Sequence, residues 1–193
     1  MPFLTFLLEA VLISLSGVLA PGPVTTLVVG KGNESPHAGA LVALGHGIVE
    51  FPLMALIYYG LGDVLDIPSV RGVIFTLGGL FLLYMGADML RSVGRVSAVE
   101  GNAGRRPLIA GIVLSLGNAY FLVWWATVGA SLISRAVTFG LAGVMTFAAV
   151  HWMCDLGWFW FLSAASSKGG DVFGVRFQKG VFIVCGAFLL VFG

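Results

Sequence analysis

Two histidines in this 193-residue chain are each followed four positions later by an acid: His46 by Glu50, and His151 by Asp155. They are two of only three histidines in the protein. Residues at i and i+4 share one face of a helix, so each imidazole can meet its own carboxylate. Both pairs fall inside strongly apolar stretches, where an ionised side chain costs ~2.5 to 3.5 kcal/mol on insertion scales, and such residues face a cavity and mark an ion or proton path. Histidine titrates near neutrality, which suits the convergence of His46, Glu50, His151 and Asp155 to proton coupling. The same four side chains suit a divalent metal equally well, because imidazole and carboxylate are ordinary ligands of first-row cations. Spacing leaves both chemistries open.

A second set of residues interrupts the apolar pattern. Ala20-Pro21-Gly22-Pro23 breaks the first apolar stretch and Leu116-Gly117-Asn118 the fourth. Proline removes a backbone donor, and in hydrocarbon a freed backbone group must be shielded by protein or water. Discontinuous helices of this kind line solute sites with their freed amides and carbonyls. A half-helix starting near Thr25 would aim its positive amino end at an anionic group such as a carboxylate. Pro21, Gly22, Pro23, Thr25, Thr26 and Asn118 are therefore the candidate solute-binding residues.

The elements that must position these groups follow from composition. The chain is 59% hydrophobic and 10% charged, against about half and about a quarter in soluble domains, so an all-α integral membrane protein is expected. Six apolar stretches stand out: Phe3 to Val29, Ala38 to Leu61, Val70 to Leu90, Leu108 to Ile133, Ala136 to Ala165, and Phe177 to Gly193. Each approaches the roughly 20 residues that a spanning helix needs. Basic residues divide unevenly between the connections. Lys31, Arg91, Arg95, Arg105, Arg106, Lys168, Arg176 and Lys179 flank odd-numbered loops, and only Arg71 and Arg135 flank even-numbered ones. Eight against two places the odd loops in the cytoplasm and both termini outside. Arg135 marks a tight fourth-to-fifth connection. No Lys or Arg precedes the first apolar run, so that run is expected to stay in the protein as a span.

The first and fourth spans then cross in opposite directions, and the halves resemble each other. Arg71-Gly72-Val73 aligns with Lys179-Gly180-Val181, Gly78 with Gly186 and Leu82 with Leu190. Together with the matched His–acid pairs and helix breaks, this predicts one transporter domain over residues 1–193. It would be built as two inverted three-helix repeats, approximately 1–95 and 105–193.

Several classes are excluded or left without support. A net charge of +1 supplies no basic surface for nucleic acid. Cys154 and Cys185 carry no pairing motif, and both sit in the second half. A thiol–disulfide enzyme on an inverted repeat would need a cysteine in each half, so no catalytic site and no cofactor is expected. The tryptophans, Trp124, Trp125, Trp152, Trp158 and Trp160, are expected mostly at lipid or the interface, with room for some of them to wall the pathway. Gly39, Gly78, Gly79, Gly86, Gly140 and Gly143 are expected at close helix contacts. Glu9 receives no assignment.

Certain of these motifs carry a family resemblance. They are Ala20-Pro21-Gly22-Pro23, Glu50 after the glycine-rich approach from Ala43 to Gly47, Leu83-Tyr84-Met85-Gly86 followed by Leu90-Arg91, and Gly111 followed by Ser115-Leu116-Gly117-Asn118. Over nearly its whole length the chain resembles the LysE-type superfamily of small transporters. Ala119 stands where that pattern has proline. The resemblance implies an exporter of amino acids or related small metabolites in the plasma membrane, driven by ion exchange and forming a homodimer, and the histidines point to H+ as the coupling ion. Because more distant relatives export metal cations, the resemblance also admits a divalent-cation exporter using the His–carboxylate set.

Overall fold

A computed structural model describes residues 2–19, 22–61, 64, 67–93, 106–168, and 179, 180, 183, 184, 187, 190 and 191. Among the described residues every regular element is helical. The helices are α1 (Phe3–Val18), α2 (Pro23–Gly32), α3 (Ala38–Leu56), α4 (Pro68–Ser92), α5 (Pro107–Leu116), α6 (Ala119–Trp124), α7 (Ala130–Val137) and α8 (Gly140–Lys168). π-Helical turns extend α3 over Ile57–Leu61 and join α6 to α7 over Trp125–Gly129.

Both expected helix breaks are present. α1 ends at Val18, and α2 begins at Pro23 after an extended Gly22. The second break forms without the proline. Asn118 leaves the helical region at φ −93°, ψ 98°, and its side-chain oxygen accepts from the Phe121 amide at 3.4 Å. An asparagine cap satisfies an amide that the new helix leaves without an acceptor, so Ala119 can start α6.

The sixth apolar stretch lies mostly outside the described residues, as do Val181 and Gly186 of the repeat alignment. Ala38–Gly60 and Ala119–Val137 are long and apolar enough to cross a membrane. Phe3–Leu15 and Pro107–Leu116 are shorter apolar helices, each lying just before a break.

The outward faces of the helices are apolar, and the buried polar groups sit among apolar side chains on the inward faces. On α3 the buried face repeats every fourth residue as Ala38, Val42, His46, Glu50 and Met54, while Leu44, Ile48 and Phe51 are exposed. On α8 the buried face runs Phe147, His151, Asp155, Phe159 and Ser163, with Met145, Met153 and Phe161 exposed. Two apolar layers result. Phe6, Ala10, Met54, Trp125 and Phe147 form one, and Val24, Val28, Val42, Phe159 and Leu162 form the other. Along both α3 and α8 the histidine and acid fall between the two layers.

Helix directions can be read from close approaches. Glu9 meets Arg135 and Gly17 lies against Trp124, so α1 runs antiparallel to α6 and α7. α3 and α5 cross through two glycines: Gly45 faces the Leu108 carbonyl and Gly111 faces the Val42 carbonyl. A Cβ at either position would collide with backbone, so this crossing requires glycine on both helices. Gly39 is likewise pressed against the Phe159 carbonyl of α8.

Gly140, expected at a helix contact, does something else. Its φ is 72° with open space around it, and it turns the chain from α7 into α8. Glycine adopts this left-handed conformation without steric cost. Arg135 sits in the last turn of α7 rather than in the connection, which is Thr138 and Phe139.

Candidate functional site

His46, Glu50, His151 and Asp155 come together between the two apolar layers, all at most 5% exposed. Glu50 Oε1 is the hub. It lies 3.3 Å from His46 Nε2 and 3.2 Å from His151 Nε2, and it accepts from Trp125 Nε1 at 3.3 Å. Asp155 is set back, with Oδ1 at 3.9 Å from His46 Nε2 and Oδ2 at 3.6 Å from His151 Nε2. Each histidine thus reaches both acids, not only the one on its own helix. Glu50 Oε2 and Asp155 Oδ2 are buried without a hydrogen-bond partner. Unpaired carboxylate oxygens away from water are costly, and a proton or a cation beside them would offset that cost.

The far side of each imidazole is held by a serine. His46 Nδ1 lies 2.6 Å from Ser115 Oγ on α5, and His151 Nδ1 lies 2.7 Å from Ser14 Oγ on α1. Ser115 spends its one hydroxyl proton on the Gly111 carbonyl, at 2.6 Å. It can therefore only accept from His46, which fixes a proton on Nδ1 and turns Nε2 toward the carboxylates. With Nδ1 protonated, an Nε2 lone pair facing carboxylate oxygens would be repulsive. A proton or another cation must lie between them.

These groups border a cavity of about 70 Å³ lined also by Gly22, Pro23, Val24, Thr25, Asn118, Tyr120, Phe121, Trp124 and Phe159. Helix α2 opens onto it by its amino end. The first intrahelical bond of α2 is made by the Thr26 amide to the Gly22 carbonyl at 3.0 Å, leaving the amides of Val24 and Thr25 without helical acceptors. Of the expected solute-binding residues, Gly22, Pro23, Thr25 and Asn118 line the cavity. Thr26 does not, since its hydroxyl donates back to the Gly22 carbonyl at 3.2 Å. Pro21 lies outside the described residues.

Nothing in the spacing of Ser14 or Ser115 assigns either of them a role in advance. Trp125, expected at lipid or the interface, is 1% exposed and donates to Glu50. Trp124 stacks on His151 with ring centroids 5.2 Å apart, and Trp152 donates to the Ala43 carbonyl at 3.2 Å. Trp160 remains exposed. Glu9, left unassigned, accepts from Arg135 Nη2 at 2.6 Å.

Comparison with known proteins points the same way as this geometry. The LysE type translocator family profile matches residues 15–193. YcgF of Bacillus subtilis (strain 168), named for a proposed amino acid efflux activity, is 23% identical over 192 residues, covering 96% of this chain and 92% of YcgF. An uncharacterized membrane protein of Haemophilus influenzae (strain ATCC 51907 / DSM 11121 / KW20 / Rd) is 25% identical over 158 residues, covering 75% of this chain and 73% of that protein. No solved structure matches. A profile match over nearly the full length, carried by a helical bundle with a shielded polar pocket, establishes that the chain belongs to the LysE type translocator family.

Proposed function

We propose that this chain is a secondary transporter of the plasma membrane, one domain over residues 1–193, that exports amino acids or related small metabolites in exchange for protons. The observation that carries the reading is the placement of His46, Glu50, His151 and Asp155 on the same cavity as the free amide end of α2. A zwitterion needs both ends of such a site. Its carboxylate meets the Val24 and Thr25 amides, where the helix dipole favours negative charge. Its ammonium faces the buried acids. Proton uptake and release by the His–acid cluster then alternates with solute during alternating access. The efflux activity for which YcgF is named supports the substrate class.

Six spans in two inverted halves, with both termini outside and two copies per assembly, complete the proposal. The antiparallel course of α1 against α6 and α7 supports the inversion. So does the crosswise pairing, in which each histidine is held by a serine from the other half.

Efflux from proteoliposomes, measured with and without an imposed pH gradient, tests the coupling. Glu50→Gln keeps an acceptor for Trp125 and both histidines but removes the charge, so pH-dependent flux should vanish while the protein stays folded. Unchanged pH-dependent flux in Glu50→Gln would remove Glu50 from the mechanism.

A further inference from the structure

We infer that His46, Glu50 and Asp155 form a binding site for a first-row divalent cation of the zinc or cobalt kind, seated between α3 and α8. Geometry and charge carry this site, which lies beyond the export reading. One ligand atom from each of the three residues lies within 4.8 Å of the others. Bonds of about 2.0 to 2.2 Å in a tetrahedral site put ligand atoms about 3.3 Å apart. The separation of His46 Nε2 from Glu50 Oε1 already has that value, 3.3 Å. Asp155 Oδ1, at 3.9 Å from the same nitrogen, has only a short way to close.

Three further features favour a metal of this class. Ser115 holds His46 from behind with the Nδ1 proton in place, which leaves Nε2 free to ligate; outer partners of this sort orient most metal-bound histidines. Glu50 Oε2 and Asp155 Oδ2 have no hydrogen-bond partner although fully enclosed, so each carboxylate has an uncommitted oxygen. Two carboxylates carry the charge that one divalent ion neutralises, and a neutral assembly is the form a low-dielectric interior tolerates. An imidazole nitrogen with two carboxylate oxygens suits zinc or cobalt better than magnesium or calcium, which take oxygen ligands almost exclusively. His151 Nε2, 3.2 Å from Glu50 Oε1, stands at the edge as a fourth donor.

The experiment is a Co2+ titration of the purified full-length protein in detergent, read by the visible d–d absorption and by zinc competition. Saturable binding of one Co2+ per chain, displaced by zinc, is expected. His46→Ala and Asp155→Asn should abolish it, and Ser115→Ala should weaken it by about tenfold to a hundredfold through loss of the outer partner. His37→Ala, at the exposed third histidine, should leave it unchanged. Absence of saturable Co2+ binding to the folded wild-type protein overturns the inference, and so does binding that survives in Ser115→Ala undiminished or disappears in His37→Ala. The wild-type measurement decides even where a cluster variant fails to fold. Neither result bears on the Glu50→Gln flux assay, so the metal site and the export reading fail separately.

Discussion

Replacing Ser14 by alanine isolates the crosswise serine–histidine pairing on which the cluster depends. Ser14 is 1% exposed and its hydroxyl lies 2.7 Å from His151 Nδ1. Interhelical side-chain hydrogen bonds in membrane proteins contribute about 0.6 kcal/mol on average and at most about 1.7, because the lost partner is usually replaced by another. Replacement is blocked here. The His151 ring is walled by Trp124, Trp125 and Phe147 at centroid distances of 5.2, 5.0 and 5.9 Å, and its Nε2 is already committed to Glu50. The orphaned nitrogen therefore bears a desolvation cost of about 1 to 3 kcal/mol, and a loss near 2 kcal/mol is expected. Equilibrium unfolding in mixed micelles measures it. Ser115→Ala should cost a similar amount. The double variant should depart from additivity, because both rings bear on the same Glu50 oxygen and residues sharing one network couple by about 0.5 to 3 kcal/mol. Flux should fall in each single variant, since a loosened imidazole no longer presents Nε2 to the acids. A Ser14→Ala protein with wild-type flux and a loss below about 0.5 kcal/mol would refute the idea that these serines hold the cluster.

Two substitutions outside the cluster test the framework that positions it. Ala119→Pro should be tolerated within about 0.5 kcal/mol, because Ala119 is the first residue of α6 and Asn118 already has the extended backbone that a following proline demands; a collapse in folded yield or thermal stability would contradict the described break. Gly111→Val should do the opposite, because its side chain would collide with the Val42 carbonyl across the α3–α5 crossing; overpacking of this kind costs about 1 to 3 kcal/mol or more, and near-native thermal stability of the variant would show that the two helices do not meet there.

Much of this protein is written in short-range pattern. The apolar stretches, the paired His–acid register and the two helix breaks depend on residues within a few positions of one another, through the 3.6-residue period and the backbone limits of proline and glycine. At the second break the proline is dispensable, because the Asn118 cap supplies the same exit from the helix. What joins the halves is not written that way. The Ser14–His151, Ser115–His46 and Glu9–Arg135 contacts link residues 137, 69 and 126 positions apart. No spacing marks such partners, because they are selected by which faces two helices present where they cross. The inward turn of Trp125 has the same origin, since an indole fits lipid or a buried carboxylate equally well until a neighbouring helix supplies the acceptor. Local chemistry decided which groups are reactive, and the crossing of helices decided which of them meet.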